Sequence, residues 1–258
     1  MNSPWRGADG WVRLAGWEKQ FGVFAGVSSR SLGNMKDLAN FERRLRDAGL
    51  DPARWAGGQQ VHGRRVVAVA RPRLKEKPRT DGLITRSPGL TLRVFTADCV
   101  PVFLMDPVRR AIGLVHAGWR GVRAGIAAKA IKELGRCYGT RAADVHAAFG
   151  PHIGKCCFEV GPDVAGFFKE IRGAVAGRRL DLSAVLRAQL IDAGVSGRHM
   201  TAAPGCTACD AIYFSYRRDQ TEKRQAAFLC LKRPPFGAPS PERGRKQRFS
   251  LSSGERAG

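Results

Sequence analysis

The sequence predicts a single α/β domain, and three observations carry that prediction. Short apolar runs of strand length recur at 92–95, 100–105, 111–115 and 145–149. The third run leads through a glycine-containing corner into the amphipathic segment Val122–Leu134, the strand–turn–helix unit of α/β folds. No linker or internal repeat divides the chain before its last residues. Its 258 residues, 43% hydrophobic and 26% charged, suffice for one sizeable core.

The elements follow in order. Trp11–Leu14 and Phe21–Val27 read as short strands, and Ser28–Asn34 as a polar turn. Met35–Ala48 has helical spacing, with Leu38, Phe41 and Leu45 on one face and Gly49 as its stop. Arg65–Ala70 alternates as a strand, and the basic, proline-containing stretch Arg71–Thr80 reads as a solvated loop or an irregular edge. Asp81-Gly82 is a turn signal before the strand Leu83–Thr85. The three central strands then follow, with Thr96-Ala97-Asp98-Cys99 between the first two. Beyond the 145–149 strand, 160–172 and Leu182–Ala193 are predicted helices. Ile212–Tyr216 and Ala226–Leu231 are the last predicted strands. The boundaries expected are an N-terminal extension at 1–19, the α/β domain at 20–232, and a disordered basic Pro/Gly/Ser tail at 233–258.

Lys and Arg number 44 against 22 Asp and Glu, a net charge of +22. That excess favours anionic partners, such as a phosphorylated small molecule or a nucleic acid, or reflects a basic background. No RNA-binding aromatic signature or recognition helix accompanies it, so nucleic acid is the weaker reading. The seven cysteines form no secreted framework, Met1–Gly10 has no basic run leading into an apolar stretch, so no leader is expected, and no 18-residue apolar span occurs. The expectation is a cytoplasmic protein with reduced thiols, a monomer or homodimer, with no membrane partner.

Dinucleotide, P-loop, His-Glu-x-x-His and zinc-deaminase signatures are all absent. Cys206-Thr207-Ala208-Cys209 has the spacing of a metal knuckle but lacks a second such pair. Cys156 and Cys157 could supply further thiols in space for a structural zinc, but neighbouring cysteines are awkward joint ligands, so buried or incidental thiols are the expectation and a structural zinc the lesser alternative. Three other residues stand out by position. His62 lies in a glycine-flanked loop, Cys99 in the break between two apolar strands, and His116 at the end of a third. Strand ends are where α/β sites form. Two imidazoles and a thiolate with one position open suit catalytic zinc. The spacing alone is equally that of one packed cysteine and two hydrogen-bonded histidines.

The motifs around these residues resemble a known family. Gln60-Val61-His62-Gly63, Thr96-Ala97-Asp98-Cys99-Val100-Pro101-Val102 and His116-Ala117-Gly118-Trp119-Arg120-Gly121 are its central segments. Gly150-Pro151-His152-Ile153-Gly154, Cys156-Cys157-Phe158-Glu159-Val160, Asp181-Leu182, Cys206-Thr207 and Phe214-Ser215-Tyr216-Arg217-Arg218 follow in order. From about residue 20 to 232 the chain resembles the laccase-domain, or polyphenol oxidase, proteins. Members are now described as zinc-dependent purine nucleoside phosphorylases with adenosine deaminase activity.

The resemblance implies one α/β domain of mixed sheets sandwiched with outer helices. It places zinc, with copper an alternative, on His62, Cys99 and His116. It implies phosphorolysis of adenosine, inosine, guanosine and S-methyl-5′-thioadenosine, so the expected partners are a purine nucleoside and inorganic phosphate.

Beside that triad, Asp98 is the carboxylate expected to orient a ligand imidazole. Arg120, His152 and Arg218 are the expected substrate or phosphate contacts, Arg120 by a bidentate grip. Trp119 is a candidate to stack on the base. The chain departs from the family at Phe24–Ser28, where an arginine is missing, at Asn40-Phe41, and at Thr221–Arg224, which is one residue longer. Arg30, Arg43 and Arg44 are candidates to replace that arginine.

Three alternatives stand beside this reading. They are a copper-dependent polyphenol oxidase, a zinc hydrolase of a cell-wall precursor, and a basic nucleic-acid-binding protein. Only five histidines and no His-x-His pair argue against a multicopper centre.

Overall fold

A computed structural model describes residues 4–72 and 76–233. The expected tail at 233–258 therefore lies outside the described residues beyond Arg233, as do residues 73–75 of the basic loop.

Two six-stranded mixed sheets form the centre. The first runs, in spatial order, Trp5–Ala8, Trp11–Leu14, Val23–Ser28, Gln225–Leu231, Thr91–Thr96 and Trp55–Ala56. The second runs Met200–Ala202, His146–Phe149, Val100–Asp106, Ala111–Ala117, Gly82–Thr85 and Val66–Ala68. Alternation of side chains explains the layering. In Gln225–Leu231, Ala227, Leu229 and Leu231 face a core shared with Phe103, Met105, Ile112 and Leu114 of the second sheet. Ala226, Phe228 and Cys230 face the opposite way, against Phe41 and Leu45 of the helix Leu38–Asp47.

The far face of the second sheet does likewise. Val102, Leu104 and Val115 pack against the helices Ile126–Tyr138 and Leu182–Asp192 through Ala130, Leu134, Val185 and Leu186. The order is thus helix, sheet, sheet, helices, matching the expected sandwich. Burial on both faces is why the central strands are apolar throughout.

Local rules set most helix ends. Asp37 accepts the Asn40 N–H at 3.0 Å and starts the helix Leu38–Asp47 three residues later than the predicted Met35. Asp181 caps Leu182–Asp192 by accepting from Ala184 N–H at 3.0 Å. The predicted 122–134 helix is instead two helices, Trp119–Arg123 and Ile126–Tyr138. Gly125, with φ of 74°, breaks the path between them.

Three further expectations are corrected. The segment 160–172 is helical only over Pro162–Gly166, because Gly166 weakens so short a helix and the turn that follows buries Phe168. Phe167 is left 45% exposed beneath the Arg123 guanidinium. Ile212–Tyr216 is not a strand. Asp210 accepts the Ile212 N–H at 3.0 Å, Ser215 accepts the Arg218 N–H at 3.1 Å, and a short helix Tyr216–Asp219 results.

Before Val23 the chain forms a helix, Ala15–Phe21, that buries Trp17 and Phe21 and spans the expected boundary at residue 19. Trp5–Ala8 and Trp11–Leu14 add to the first sheet as antiparallel strands. Among the described residues no helix is long and apolar enough to cross a membrane.

Candidate metal centre

Strand register brings the three predicted ligands together. Val100 pairs with Ala117, so Cys99 arrives beside Gly118, two positions beyond the pair of His116 with Pro101. Gly82 pairs with Val115 on the other side of the same strand, which sets Asp81 beside His116. The His116 N–H donates to the Asp81 carbonyl at 2.7 Å. One ligand atom each from His62, Cys99 and His116 lies within 4.8 Å of the others.

Asp81 organises this site. Its side chain is fully buried and accepts four hydrogen bonds. Oδ1 takes the His62 backbone N–H at 2.9 Å and His116 Nδ1 at 2.9 Å. Oδ2 takes the N–H groups of Val61 at 3.1 Å and Gly63 at 2.9 Å. Three successive amides thus wrap one carboxylate, which holds His62 in the left-handed region with φ of 58°. The Nδ1 contact leaves His116 Nε2 free to face Cys99 or a metal. Burial alone would raise the Asp81 pKa, but the His116 contact and the loop amides bring it below its ordinary value.

The donor chemistry fits a metal. Burial opposes ionisation of Cys99, but the neighbouring imidazoles, His116 foremost, more than offset it and lower the thiol's pKa. Burial likewise opposes charge on His116, and Cys99 and Asp81 outweigh it in the other direction. Gly118 leaves room for the group, since a Cβ there would lie 2.7 Å from His62 Cδ2 and 3.0 Å from Cys99 Sγ.

The triad opens into a cleft of about 720 Å³. Lys36, Arg120, Arg217 and Arg224 bring positive charge to its walls, with Glu76, Asp98 and Glu222 as the acidic groups. Phe95, Trp119, Phe158 and Tyr216 supply aromatic surface. Lys36 and Arg224 share Glu222, each at 3.6 Å. Arg217 donates to backbone carbonyls of Cys157 and Glu159 at 3.2 and 2.9 Å. Arg120 is exposed, its guanidinium 4.4 Å from the Trp119 ring centre. Among the described residues no ion pair neutralises Arg120 or Arg217.

Several expected roles change. Asp98 lines the cleft, but Asp81 and not Asp98 makes the bond to a ligand histidine. Asp98 instead accepts Thr207 Oγ1 at 2.7 Å and the Arg217 N–H at 2.7 Å, and its carbonyl accepts the Ile153 N–H at 2.9 Å. It is a knot between loops, with φ of 90°. His152 is buried outside the cleft wall, with Nδ1 2.7 Å from the Gly150 carbonyl. Arg218 also stands outside the wall, donating to carbonyls of Thr207, Asp210 and Tyr213 and to Asp219. Its neighbour Arg217 faces the cleft.

None of the three proposed replacement arginines lines the cleft. Arg30 pairs with Asp219, Arg43 with Asn40, and Arg44 with Asp47 and the Leu32 carbonyl. The segment 221–224 instead delivers Glu222 and Arg224 to it.

Sequence reading missed Asp81 as a site residue, taking Asp81-Gly82 for a turn signal. It also gave a structural zinc on four cysteines only second place to incidental thiols. Cys156, Cys157, Cys206 and Cys209 form a second group whose Sγ atoms all lie within 4.8 Å of one another.

Comparison with known proteins follows the same lines. The family described as multi-copper polyphenol oxidoreductase laccase matches residues 30–232. A purine nucleoside phosphorylase of Streptomyces griseus, ORF3, is 38% identical over 204 residues, covering 75% of this chain and 80% of that one. The purine nucleoside phosphorylase YlmD of Geobacillus stearothermophilus is 32% identical over 86% of this chain and 94% of its own. The crystal structure of YlmD from that organism superposes with a TM-score of 0.81, at 29% identity over 90% of this chain and 100% of its own. A Bacillus licheniformis protein, YfiH, gives 0.82 with the same identity and coverage. With sequence, layer order and length all in agreement, this chain belongs to the laccase-domain family of purine nucleoside phosphorylase homologues.

Proposed function

We propose that the cleft is the active site of a zinc-dependent purine nucleoside phosphorylase that also deaminates adenosine. One observation carries the reading: a His–Cys–His metal triad and two guanidinium groups without carboxylate partners share one cleft sized for a nucleoside. The names of the relatives support it. Adenosine, inosine, guanosine and S-methyl-5′-thioadenosine are the proposed substrates.

His62, Cys99 and His116 would hold the metal, and zinc there supplies Lewis acidity toward a substrate oxygen. Asp81 holds His116 in the tautomer that leaves Nε2 free and fixes the backbone that presents His62. Arg217 and Arg120 offer planar donor pairs suited to phosphate. Arg217 is oriented beforehand by the carbonyls of Cys157 and Glu159. Phe158, Trp119 and Tyr216 offer faces on which a purine can stack.

In phosphorolysis a phosphate oxygen forms the new bond to C1′ of the ribose while the N9–C1′ bond breaks, and the base leaves with the bonding pair. The arginines bring the anion to the sugar and offset its charge in a partly desolvated cleft.

The test is product identification. The purified, zinc-quantified protein is incubated with adenosine, with and without phosphate, beside a His62→Ala control. Phosphate-dependent adenine and ribose 1-phosphate establish phosphorolysis, and inosine establishes deamination. If the zinc-loaded protein makes neither product, the proposal fails for this substrate.

A further inference from the structure

We infer that Cys156, Cys157, Cys206 and Cys209 form a second metal site, a structural zinc centre that locks two loops of the cleft wall together.

The obstacle in the sequence is that neighbouring side chains diverge in extended chain. Here the backbone is not extended. Both the Cys157 and the Phe158 N–H groups donate to the Gly154 carbonyl at 3.0 Å. This tight turn points Cys156 and Cys157 to one side. Residues 206–209 make a matching turn, in which the N–H groups of Cys209 and Asp210 donate to the Cys206 carbonyl at 3.1 and 2.9 Å.

The distances suit a tetrahedral ion. Zinc–sulfur bonds of about 2.3 Å place ligand sulfurs roughly 3.8 Å apart at tetrahedral angles. Cys209 Sγ lies 3.6 Å from Cys156 Sγ and 3.3 Å from Cys157 Sγ. All six separations are within 4.8 Å. A disulfide would need about 2.05 Å. Gly154 makes the space: a Cβ there would lie 3.2 Å from Cys206 Cβ and 3.3 Å from Cys156 Sγ.

The backbone around Cys206 suits a thiolate. Cys206 Sγ accepts the Gly154 N–H at 3.1 Å and also receives backbone N–H groups from Ala208 and Cys209. Amides converging on one sulfur stabilise it as an anion. Four thiolates on a divalent ion leave two negative charges, and three guanidinium groups brace the ligand turns. Arg179 donates to the Cys156 carbonyl, Arg217 to that of Cys157, and Arg218 to those of Thr207, Ala208 and Asp210. All-sulfur tetrahedral coordination with no open position is the pattern of structural zinc.

The consequence reaches the cleft. The first turn leads directly into Phe158, and the second leads to Tyr216 and Arg217. Asp98, next to Cys99, ties the same loops through Ile153, Thr207 and Arg217. Zinc on the four cysteines would hold the phosphate-facing arginine against the triad. The inference stands whichever reaction the cleft performs.

Zinc per chain is measured by elemental mass spectrometry on protein purified without chelator, and cobalt exchange then reports thiolate ligation by its charge-transfer absorption. Two zinc ions per chain are expected in the wild type. The double variant His62→Ala/His116→Ala should retain one, with the strong cobalt–thiolate absorption intact. Cys206→Ser/Cys209→Ser should also hold one, with that absorption reduced to the share of Cys99. Should the cysteine variant fail to fold, the histidine variant decides alone. A wild type with one zinc that disappears in the histidine variant overturns the inference. So do unchanged zinc in a folded cysteine variant and a disulfide between the two turns, found by peptide mapping of protein handled without air.

Discussion

Replacing Asp81 by Asn tests the core of the site, because it removes charge and one acceptor while keeping shape. The carboxylate accepts four hydrogen bonds, two on each oxygen. An amide has one accepting oxygen and one donating nitrogen. If its oxygen faces His62 N–H and His116 Nδ1, its nitrogen meets the N–H groups of Val61 and Gly63. If it is flipped, the nitrogen faces His116 Nδ1 and forces the proton onto Nε2, the atom a metal needs.

Either way two hydrogen bonds to a buried charge are lost. At about 1.5–3 kcal/mol each, the expected destabilisation is roughly 3–6 kcal/mol. Metal affinity should fall about 10- to 100-fold, the usual effect of removing the partner of a ligand histidine. Zinc affinity is read by competition with a chromophoric chelator, and stability by urea unfolding of the zinc-free protein. Affinity within twofold of wild type together with an unchanged unfolding midpoint would refute the role given to Asp81.

Other outcomes follow from the same geometry. Gly118→Ala has an allowed backbone, with φ of −77°, but its methyl would press on His62 and Cys99. It should weaken zinc about tenfold or more, and chelator competition showing wild-type affinity would count against the close fit. Arg217→Ala should raise the KM for phosphate about 10- to 100-fold, the loss of one or two charge-assisted bonds, and leave adenosine deamination nearly unchanged. Steady-state kinetics at varied phosphate checks it, and an unchanged KM rejects the phosphate role.

Burial holds His146 and His152 below the ordinary imidazole pKa of 6.5, and His199, stacked 4.2 Å from His146, adds to the effect there. As pH falls below about 6.5 the unfolded chain takes up protons that the folded one refuses. Their contribution is therefore complete above 6.5 and is lost toward the lower folded values. The urea midpoint should drop between pH 7.5 and 5.5, and drop less in His146→Phe. An equal drop in both proteins would show that His146 plays no part.

Much of this protein is written locally. Apolar runs such as 100–105 and 111–115 announce strands buried on both faces, and capping residues such as Asp181 mark where helices begin. Cys99 and His116 were legible because each stands at the end of such a strand. Where local signals compete, reading along the chain fails. Ile212–Tyr216 looks like a strand until Asp210 and Ser215 bond their own backbone, and Gly125 divides a helix whose apolar spacing is continuous.

The α/β class, the central strands and, through the family motifs, the His62–Cys99–His116 triad are readable from the chain alone. Which carboxylate serves that triad, which of two neighbouring arginines faces the cleft, and whether four scattered thiols meet depend on the fold in three dimensions. The physical reason is register. Asp81 reaches His116 because strands 82–85 and 111–117 pair one way and not one residue over. Cys156 and Cys157 reach Cys206 and Cys209 because two turns some fifty residues apart in the chain fold against each other. Such pairings are set by packing between distant segments, and no local pattern records them.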